Sequence, residues 1–289
     1  MTEILRGTII KGIAGFYYVK SGDTVYRCKA RGIFKERGIK PAVGDSVEME
    51  VIPDNDDSLI TEILPRRNSF IRPFVANVDC FAIVAAAAKP KPVLQTIDRF
   101  AVMAERAGAE IIMCISKCDL KGSRELLQEI YSPLYPVVCI SRDSDEGIEE
   151  LKRLIAGKSV ALAGASGVGK STIINRLIPG AMMETGDISR KSQRGKHTTR
   201  HSELFVVEGM KDTMIFDTPG FTSFDILEAE EEELQFCYPE IGRLAGKCRY
   251  DNCRHLAEPG CAVKEALERG EINRHRYESY RVQMEELRK

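Results

Sequence analysis

The sequence has no apolar run long enough to cross a membrane. The longest, from Phe81 to Ala88, has eight residues, whereas a membrane-spanning helix needs about 20. The N-terminus, Met1-Thr2-Glu3-Ile4, also lacks the basic region followed by an apolar region that marks a chain for export. We therefore expect a cytoplasmic protein with no membrane partner.

The sequence also lacks an excess of charge of either sign. Lys and Arg number 42, Asp and Glu number 43, and the net charge is -1, which argues against a protein that coats nucleic acid without selectivity. The charges are unevenly placed, because residues 1–40 hold nine basic and three acidic residues, whereas residues 41–65 hold seven acidic and no basic residues. The first 65 residues should therefore present one basic face or edge.

The cysteines do not form an even set. There are nine of them, and this odd number argues against a complete disulfide framework and favours a reducing compartment. Five occur singly in strand-like or loop segments, where cysteine serves as a small buried apolar side chain. These five are Cys28, Cys80, Cys114, Cys118 and Cys139.

A phosphate-binding motif is the clearest feature that the sequence does contain. The stretch Gly164-Ala165-Ser166-Gly167-Val168-Gly169-Lys170-Ser171 fits the pattern G-x-x-x-x-G-K-[ST], between an apolar run and a helix-permitting segment. Its glycines let backbone N–H groups surround a polyphosphate, Lys170 would reach the terminal phosphates, and Ser171 would bind Mg2+. The motif predicts a triphosphate site. The alternative is a glycine-rich turn in another kind of α/β protein.

The first 65 residues predict a small β-barrel of the OB type. About five strand-like runs are separated by turn signals, and no helix-length pattern interrupts them. The runs are Leu5–Lys11, Gly15–Lys20, Thr24–Ala30, Ser46–Ile52 and Leu59–Leu64. The segment 27–37 mixes cations with one aromatic residue, as a nucleic-acid-binding edge would. A solvated edge that only keeps the barrel soluble fits equally well.

Strands and helices alternate after a linker at residues 67–73. The expected strands are Val78–Ala88, Glu110–Ser116, Pro136–Ser141 and Ser159–Ala163, and the expected helices are Pro92–Gly108, Arg124–Tyr131 and Gly147–Ala156. This repeat predicts a parallel sheet with helices on both faces. Ligands of such a sheet bind at the carboxyl ends of its strands.

One of these strands ends in Ser116-Lys117-Cys118-Asp119, which differs by one residue from the N-K-x-D box with which GTPases bind guanine. Asp119 would accept hydrogen bonds from two donors on guanine that adenine does not supply. Ser116 stands where Asn is usual, and a hydroxyl does not reproduce the paired donor and acceptor of an amide. The alternative is a helix start, which favours Ser and Asp. Another strand ends at Ser141, where backbone N–H groups would meet the base.

Residues 195–220 contain two further motifs of a nucleotide switch. In Gly195-Lys196-His197-Thr198-Thr199, the hydroxyl of Thr198 or Thr199 would reach Mg2+ and the γ-phosphate. Asp217-Thr218-Pro219-Gly220 is a D-x-x-G box, in which Asp217 would hold Mg2+ through water and the Gly220 N–H would touch the γ-phosphate. A plain turn is the alternative for this box.

The residue after that box bears on catalysis. Phe221 stands where Ras-like enzymes place the Gln that orients the attacking water. A phenyl ring does not orient water, so we expect slow intrinsic hydrolysis. His197 is the candidate for supplying the missing function, and an exposed histidine without a catalytic role is the alternative.

Three cysteines and one histidine lie within 14 residues near the C-terminus. Their spacing, C-x4-C-x-H-x5-C, predicts one tetrahedral site formed by Cys248, Cys253, His255 and Cys261. No ligand position is left open, so the predicted metal is a structural zinc. Buried cysteines without a metal are the alternative.

The tail from Val263 to Lys289 is helix-like. It carries basic and aromatic residues at helical spacing, namely Arg274, Arg276, Tyr277, Tyr280 and Arg281. Such a stripe suits RNA, or it belongs to an amphipathic helix that closes the zinc module.

The motifs stand in a permuted order. The guanine box at 116–119 precedes the phosphate loop at 164–171, and the switch motifs come last. An ordinary GTPase begins with the phosphate loop and keeps the same cyclic order. A circular permutation explains both facts, since loops at the rim of a sheet can be rejoined without disturbing the core.

With these features, nearly the whole chain resembles the RsgA (YjeQ or YloQ) family of circularly permuted bacterial GTPases. The matching features are the barrel with its Pro-x-x-Gly-Asp turn, the phosphate loop, residues 195–199, residues 217–221, and Cys248 to Cys261 followed by Val263-Lys264. The resemblance implies slow GTP hydrolysis stimulated by the 30S ribosomal subunit, a role in late maturation of that subunit, and catalysis by the switch histidine, here His197. Ser116 in place of Asn and Lys196 in place of the common Arg depart from the pattern.

We therefore expect a multidomain chain with an OB-type RNA-binding β-barrel at 1–66 and an α/β circularly permuted P-loop GTPase domain at 74–226. A zinc-binding helical domain at 227–289 would follow. The expected partners are GTP or GDP and the 16S rRNA of the 30S subunit, and the chain is expected to be a monomer. Two other functions fit the sequence: a nucleotide-gated RNA-binding module whose turnover is incidental, and an ATPase, which Ser116 would permit.

The expected site residues follow from these motifs. His197, Lys170 and Thr199 are expected to act in catalysis, and Ser171, Thr199 and Asp217 to hold Mg2+. The residues expected to contact GTP are Ser116, Lys117, Cys118, Asp119, Ser141, Gly164, Ala165, Ser166, Gly167, Val168, Gly169, Lys170, Ser171, Thr172, Thr198, Thr199, Asp217 and Gly220.

Overall fold

The structure, a computed structural model, describes residues 3–52, 57–179, 202–217 and 229–288. In chain order the elements are β1 (Glu3–Ile13), β2 (Phe16–Ser21), β3 (Thr24–Ala30), α1 (Gly32–Glu36), β4 (Ser46–Val51), β5 (Ser58–Ile63), β6 (Ser69–Ile71), β7 (Phe74–Ala76), β8 (Cys80–Ala86), α2 (Leu94–Arg106), β9 (Glu110–Ser116), α3 (Arg124–Tyr131), β10 (Val137–Ile140), α4 (Glu146–Ile155), β11 (Ser159–Ala163), α5 (Lys170–Leu177), β12 (Glu203–Val206), β13 (Met214–Asp217), a 3-10 helix (Leu234–Cys237), α6 (Pro239–Gly242), α7 (Ala262–Glu268) and α8 (Arg274–Leu287). Within the described ranges, no helix is both long and apolar enough to cross a membrane.

The described residues fall into two compact units. The barrel unit takes those within the ranges 1–79, 155–162 and 174–221. The phosphate-loop unit takes those within 80–154, 163–173 and 222–289.

The barrel unit contains the five predicted strands, with bounds within two residues of the prediction. They follow the order β1-β2-β3-β5-β4, and β4 also pairs with β1, which closes the barrel. Alternate residues point inward, because successive strand residues face opposite sides. The fully buried core residues include Ile9, Val19, Met49 and Ile60.

A short helix on the outside of the barrel interrupts the strands, which the sequence did not predict, and it alters the interpretation of the basic edge. α1 follows β3 and buries Phe34, the aromatic residue of the 27–37 segment, in the barrel core. Phe34 therefore does not stack on a nucleic acid base. Arg27 and Lys29 both pair with Asp57, so part of the positive charge on this edge is already balanced.

The predicted linker is structured as well. Residues 69–71 and 74–76 form the β6–β7 hairpin, against which the Pro-x-x-Gly-Asp turn packs. Gly44 in that turn has φ +93°, and a Cβ at this position would collide with the Ala76 carbonyl oxygen. The fully buried Asp45 accepts hydrogen bonds from the Ala42 N–H at 2.7 Å and from Arg66 at 2.7 and 2.8 Å. Glycine and aspartate are therefore required at this turn for steric and electrostatic reasons.

Three more strands of the barrel unit lead to one of the predicted site residues. β11 and β13 are parallel, whereas β12 runs antiparallel to β13 and to β1. Lys11 of β1 forms an ion pair with Glu203 of β12 at 2.8 Å. Glu203 in turn lies opposite Asp217, the last residue of β13.

The phosphate-loop unit contains the parallel strands β8, β9 and β10. Every residue of β8 is buried, as expected for a central parallel strand. α2 buries one face that includes Ile97, Phe100, Ala101 and Ala104. These elements confirm the alternating pattern read from residues 78–156.

The C-terminal tail forms two helices, α7 and α8. For two residues of the basic and aromatic stripe on this tail, the prediction of RNA binding is wrong. Arg276 and Tyr280 are both fully buried. Arg276 donates to Asp98 of α2 at 2.6 Å and to Glu240 of α6 at 2.7 Å, and its guanidinium lies 4.5 Å from the Tyr238 ring centroid. The structural alternative is correct here, because these side chains hold α8 against α2 and α6.

We predict that Arg276→Ala lowers the free energy of unfolding by about 3–5 kcal/mol, because Asp98 and Glu240 would remain buried without a compensating charge. Urea denaturation measures the effect. Arg281→Ala is the matched control on the same helix, since the side chain of Arg281 is largely open to solvent and, among the described residues, forms ion pairs with Glu278 and Glu285. We expect little measurable change in the control, and equal stability of the two variants would contradict the buried network.

Candidate functional site

The phosphate-binding motif adopts the predicted strand, loop and helix arrangement. β11 ends at Ala163, and α5 begins at Lys170. Gly164 has φ +146°, and a Cβ there would collide with the Val84 carbonyl oxygen of β8. Gly167 and Gly169 also have positive φ angles, which the loop needs in order to curve with its N–H groups facing one side.

Lys170 folds back over this loop. Its Nζ donates to the carbonyl oxygens of Gly164 and Ala165 at 2.7 and 2.8 Å. Burial lowers the pKa of Lys170 to about 8, because removal from water disfavours the charged form. An anion bound in the loop would restore favourable surroundings for the ammonium group. The loop with the start of α5 can therefore bind phosphate groups.

The predicted guanine box lies directly against the loop. Lys117, in the left-handed region at φ +57°, donates from Nζ to the Gly167 carbonyl oxygen at 2.9 Å and also to the Lys89 carbonyl oxygen. The hydroxyl of Ser116, which is only 4 % exposed, lies 2.5 Å from the Val168 carbonyl oxygen. Both residues therefore fix the loop to the end of β9.

The position of Ser116 answers a question that the sequence left open. Its side chain is buried beneath the loop and bonds to the loop backbone. Its effect on a bound base would therefore be indirect, through the placement of the loop. The contact depends on a tertiary approach between residues 52 positions apart, and no local pattern could have revealed it.

Asp119 lies at the exposed end of the box, where a ligand can reach it. Its Oδ1 accepts a hydrogen bond from the Arg142 N–H at 3.2 Å, and the Cys118 N–H donates to the Ile140 carbonyl oxygen at 3.1 Å. The box and the end of β10, where Ser141 lies, are thereby joined. A carboxylate at this position can accept hydrogen bonds from two adjacent N–H donors of a ligand.

Asp217 of the predicted switch ends β13 in the barrel unit, where it is half-buried. Burial and the negative charge of Glu203 both raise the pKa of Asp217. The remaining predicted switch residues, His197, Thr198, Thr199 and Gly220, lie outside the described residues, as does Phe221.

The four predicted metal ligands come together. The ligand atoms of Cys248, Cys253, His255 and Cys261 all lie within 4.8 Å of one another. The sulfurs of Cys248 and Cys261 are 3.9 Å apart and lie 3.5 and 3.4 Å from His255 Nδ1. A tetrahedral zinc site with ordinary bond lengths would place its ligands about 3.6–3.8 Å apart. This cluster can therefore hold a metal ion.

Neighbouring side chains orient the histidine and its loop. The Nε2 atom of His255 is 3.1 Å from Gln235 Oε1, an arrangement that leaves Nδ1 for a metal. Burial lowers the pKa of His255, which favours the neutral imidazole that a metal requires. The hydroxyls of Tyr277 and Tyr280 donate to the carbonyl oxygens of His255 and Arg254 at 2.7 and 2.9 Å. α8 thus closes the cluster, as one of the two sequence interpretations predicted.

Comparisons with known proteins agree with these features. Residues 63–227 match the model of the RsgA GTPase, and residues 6–60 match that of the RsgA N-terminal domain. Proteins called small ribosomal subunit biogenesis GTPase RsgA are similar to the chain, for example those of Agathobacter rectalis and Carboxydothermus hydrogenoformans. Each is 44 % identical, over 98 % of both chains.

Two solved structures are also similar. The crystal structure of YjeQ from Thermotoga maritima has a TM-score of 0.86 and 36 % identity, covering 99 % of both chains. That of YloQ, described as a circularly permuted GTPase, has a TM-score of 0.83 and 33 % identity, covering 99 % of this chain and 96 % of the other.

Proposed function

The chain belongs to the RsgA GTPase family, and from this premise we propose that it hydrolyses GTP, binds the small (30S) ribosomal subunit and assists its late maturation. The observation that carries the proposal is the attachment of the guanine box to the phosphate loop through Ser116 and Lys117. Asp119, whose carboxylate we propose binds the base, lies two residues after Lys117. Its position relative to the phosphate loop is therefore fixed by these contacts.

In this proposal the phosphate loop, 164–171, and Thr172 bind the phosphates of GTP, with Lys170 on the terminal groups. Asp119 accepts hydrogen bonds from guanine, the stem of Lys117 lies over the base, and the backbone at Cys118 and Ser141 completes the base pocket. Ser116 acts through its bond to the loop. A guanine-specific carboxylate excludes adenine, since adenine presents no pair of donors to it.

Hydrolysis would need Mg2+, which we assign to Ser171, Asp217 and a switch threonine, Thr198 or Thr199. Phe221 cannot orient water, so intrinsic turnover is slow, and His197 with Lys170 and Thr199 supplies catalysis once the ribosomal subunit is bound. Electrostatic stabilisation and placement of the water are the chief means of catalysis in such reactions.

The metal of the C-terminal cluster is proposed to be zinc, with a structural role. Three thiolates and one imidazole fill all four positions of a tetrahedral zinc, so that no position remains for a substrate. The core of this region includes Leu234, Ile241 and Val263 and is shared with α2 through Val102. The metal would fix the loop between α6 and α7 against this core.

We propose that the barrel, 1–66, and the zinc-binding module, 227–289, contact 16S rRNA, and that residues 74–226 form the GTPase domain. On α8, burial of Arg276 and Tyr280 leaves the exposed Arg274 and the half-buried Arg281 for such contacts. The protein would act in the cytoplasm as a monomer.

We predict that purified 30S subunits increase GTP turnover. In His197→Ala, turnover in the presence of 30S subunits should be lower by about a hundredfold or more, which is the contribution expected of a catalytic histidine. Phosphate release with and without 30S subunits measures both effects. His201→Ala is the control, since it removes a histidine from the same segment without touching the assigned group. The proposed enzymatic role fails if 30S subunits do not raise the turnover of the unaltered protein. Catalysis by His197 fails if its variant matches His201→Ala.

We predict about one zinc ion per chain in protein purified without chelator. Cys253→Ser should lose this zinc and melt at a lower temperature, because a cluster with three ligands binds the metal less tightly. Cys237→Ser is the control, since Cys237 is buried in the same core but is not part of the cluster. Mass spectrometry of the metal and thermal unfolding measure the outcome. A zinc content far below one per chain in the unaltered protein would rule out the site.

A further inference from the structure

Two cysteines from separate elements meet at the predicted guanine box. Cys118 lies within the box, two residues after the end of β9, and Cys139 lies on β10. Their side chains are in hydrogen-bonding contact, and the structure holds both as thiols. Two thiols in contact have the partners and the proximity that a disulfide needs.

The pairing of β9 with β10 brings the two sulfurs together. These strands are parallel, and Cys139 lies opposite Ile115. Cys118 turns back to the same residue, since its Sγ donates to the Ile115 carbonyl oxygen at 3.1 Å. The Cys118 N–H donates to the carbonyl oxygen of Ile140, the residue after Cys139, at 3.1 Å. The approach of the two thiols is therefore fixed by hydrogen bonds at the strand ends.

Both thiols are partly open to solvent. Cys118 and Cys139 are half-buried, whereas Cys80 and Cys114, on β8 and β9, are fully buried. Gln128 of α3 lies beside the pair, with its Nε2 3.5 Å from Cys139 Sγ. Because oxidation of cysteine follows exposure, a small oxidant can reach this pair more readily than the thiols inside the sheet.

We propose that Cys118 and Cys139 form a reversible disulfide and that this modification weakens the binding of a guanine nucleotide at the box. The oxidant is a low-molecular-weight disulfide, such as oxidised glutathione. The effect on binding rests on the proposed function, because it takes Asp119 as the residue that binds guanine.

The reaction consists of two successive thiol–disulfide exchanges. Burial, and then the neighbouring Cys139 thiol, raise the pKa of Cys118 to about 12, so Cys118 stays protonated at neutral pH and Cys139 reacts first. The Cys139 thiolate attacks one sulfur of the small disulfide and releases one small thiol. Cys118 then attacks the Cys139 sulfur and releases the second. Two electrons pass to the small disulfide, and the two protein protons pass to the thiols that leave.

The two cysteines lie on the two segments that frame the proposed base pocket. Cys118 lies between Lys117 and Asp119, and Cys139 lies two residues before Ser141. A disulfide brings the sulfurs to about 2 Å from each other, which is much closer than a hydrogen bond between thiols. Lys117 is held by two carbonyl oxygens, so we expect the exposed Asp119 to take up the shift and to lose part of its contact with the base.

Peptide mapping of the oxidised protein tests formation of the disulfide. The unaltered protein is equilibrated with oxidised glutathione without nucleotide, its free thiols are alkylated, and it is digested with trypsin. We expect the peptides 118–121 and 125–142 to be joined, and to separate after treatment with dithiothreitol. Alkylation of both Cys118 and Cys139 after oxidation, or their joining to other cysteines instead, would overturn the proposal. This measurement does not depend on the folding of any variant.

Calorimetric titration with GDP tests the effect on binding. The oxidised protein should bind GDP about tenfold or more weakly than the reduced protein, as expected when a hydrogen bond to a charged group is lost. Cys139→Ala should bind GDP equally well before and after oxidation, because Cys118 then has no partner. This variant keeps the Cys3His cluster, so it also accounts for oxidation there. Cys28→Ala, in the barrel core, is the control that should respond to oxidation as the unaltered protein does.

Thermodynamic linkage requires the reverse effect as well. Saturating GDP should lower the equilibrium constant for disulfide formation by the same factor. Unchanged GDP affinity on oxidation, or an equal loss in Cys139→Ala, would show that this pair does not control the site. Failure of the proposed function gives a different result, because absence of GDP binding by the reduced protein would remove the guanine site itself, whereas the disulfide is detected by its mass without any nucleotide.

Discussion

Two hydrogen bonds from the end of β9 hold the phosphate loop, and the account of the nucleotide site depends on them. A glycine-rich loop needs contacts from outside to hold one conformation, because glycine loses more conformational freedom on folding than any other residue. Here Ser116 bonds to Val168 and Lys117 bonds to Gly167, while Gly164 packs on Val84 with no room for a side chain. The same two residues lead into Asp119, so the carboxylate proposed to select the base is held by the same contacts as the loop proposed to bind the phosphates.

Within the phosphate-loop unit, buried charge holds the C-terminal helix α8 against α2 and α6. Arg276 joins α8 to α2 and α6 through Asp98 and Glu240, and such an ion pair costs much to break once it is buried. α8 also carries Tyr277 and Tyr280, whose hydroxyls hold the backbone of the loop that carries the Cys3His cluster. One helix thus serves both the metal cluster and the contact with α2. Arg276 and Tyr280, two residues of the stripe that suited RNA in the sequence, have a packing role instead.

Local patterns in the sequence predicted the barrel strands, the alternating strands and helices, the phosphate loop and the metal cluster, because each depends on residues close together in the chain. The exceptions have physical reasons. α1 has five residues and β6 has three, too few to show a period. The burial of Arg276 depends on Asp98, 178 residues away, and the role of Ser116 depends on a loop carbonyl 52 residues away. Contacts between distant residues leave no trace in spacing, so a serine in place of the usual asparagine and a basic helix were both open to other interpretations.

The most direct test of the account is calorimetric measurement of GDP and ADP dissociation constants for the unaltered protein, Asp119→Ala and Ser116→Ala. The unaltered protein should prefer GDP by at least about a hundredfold, because a site built to bond guanine leaves a carboxylate unpaired when adenine enters. Asp119→Ala should lose this preference. Ser116→Ala should keep it while binding GDP about three- to tenfold more weakly, the loss expected from one hydrogen bond that places the loop. Comparable affinities of the unaltered protein for GDP and ADP would contradict a guanine-specific site.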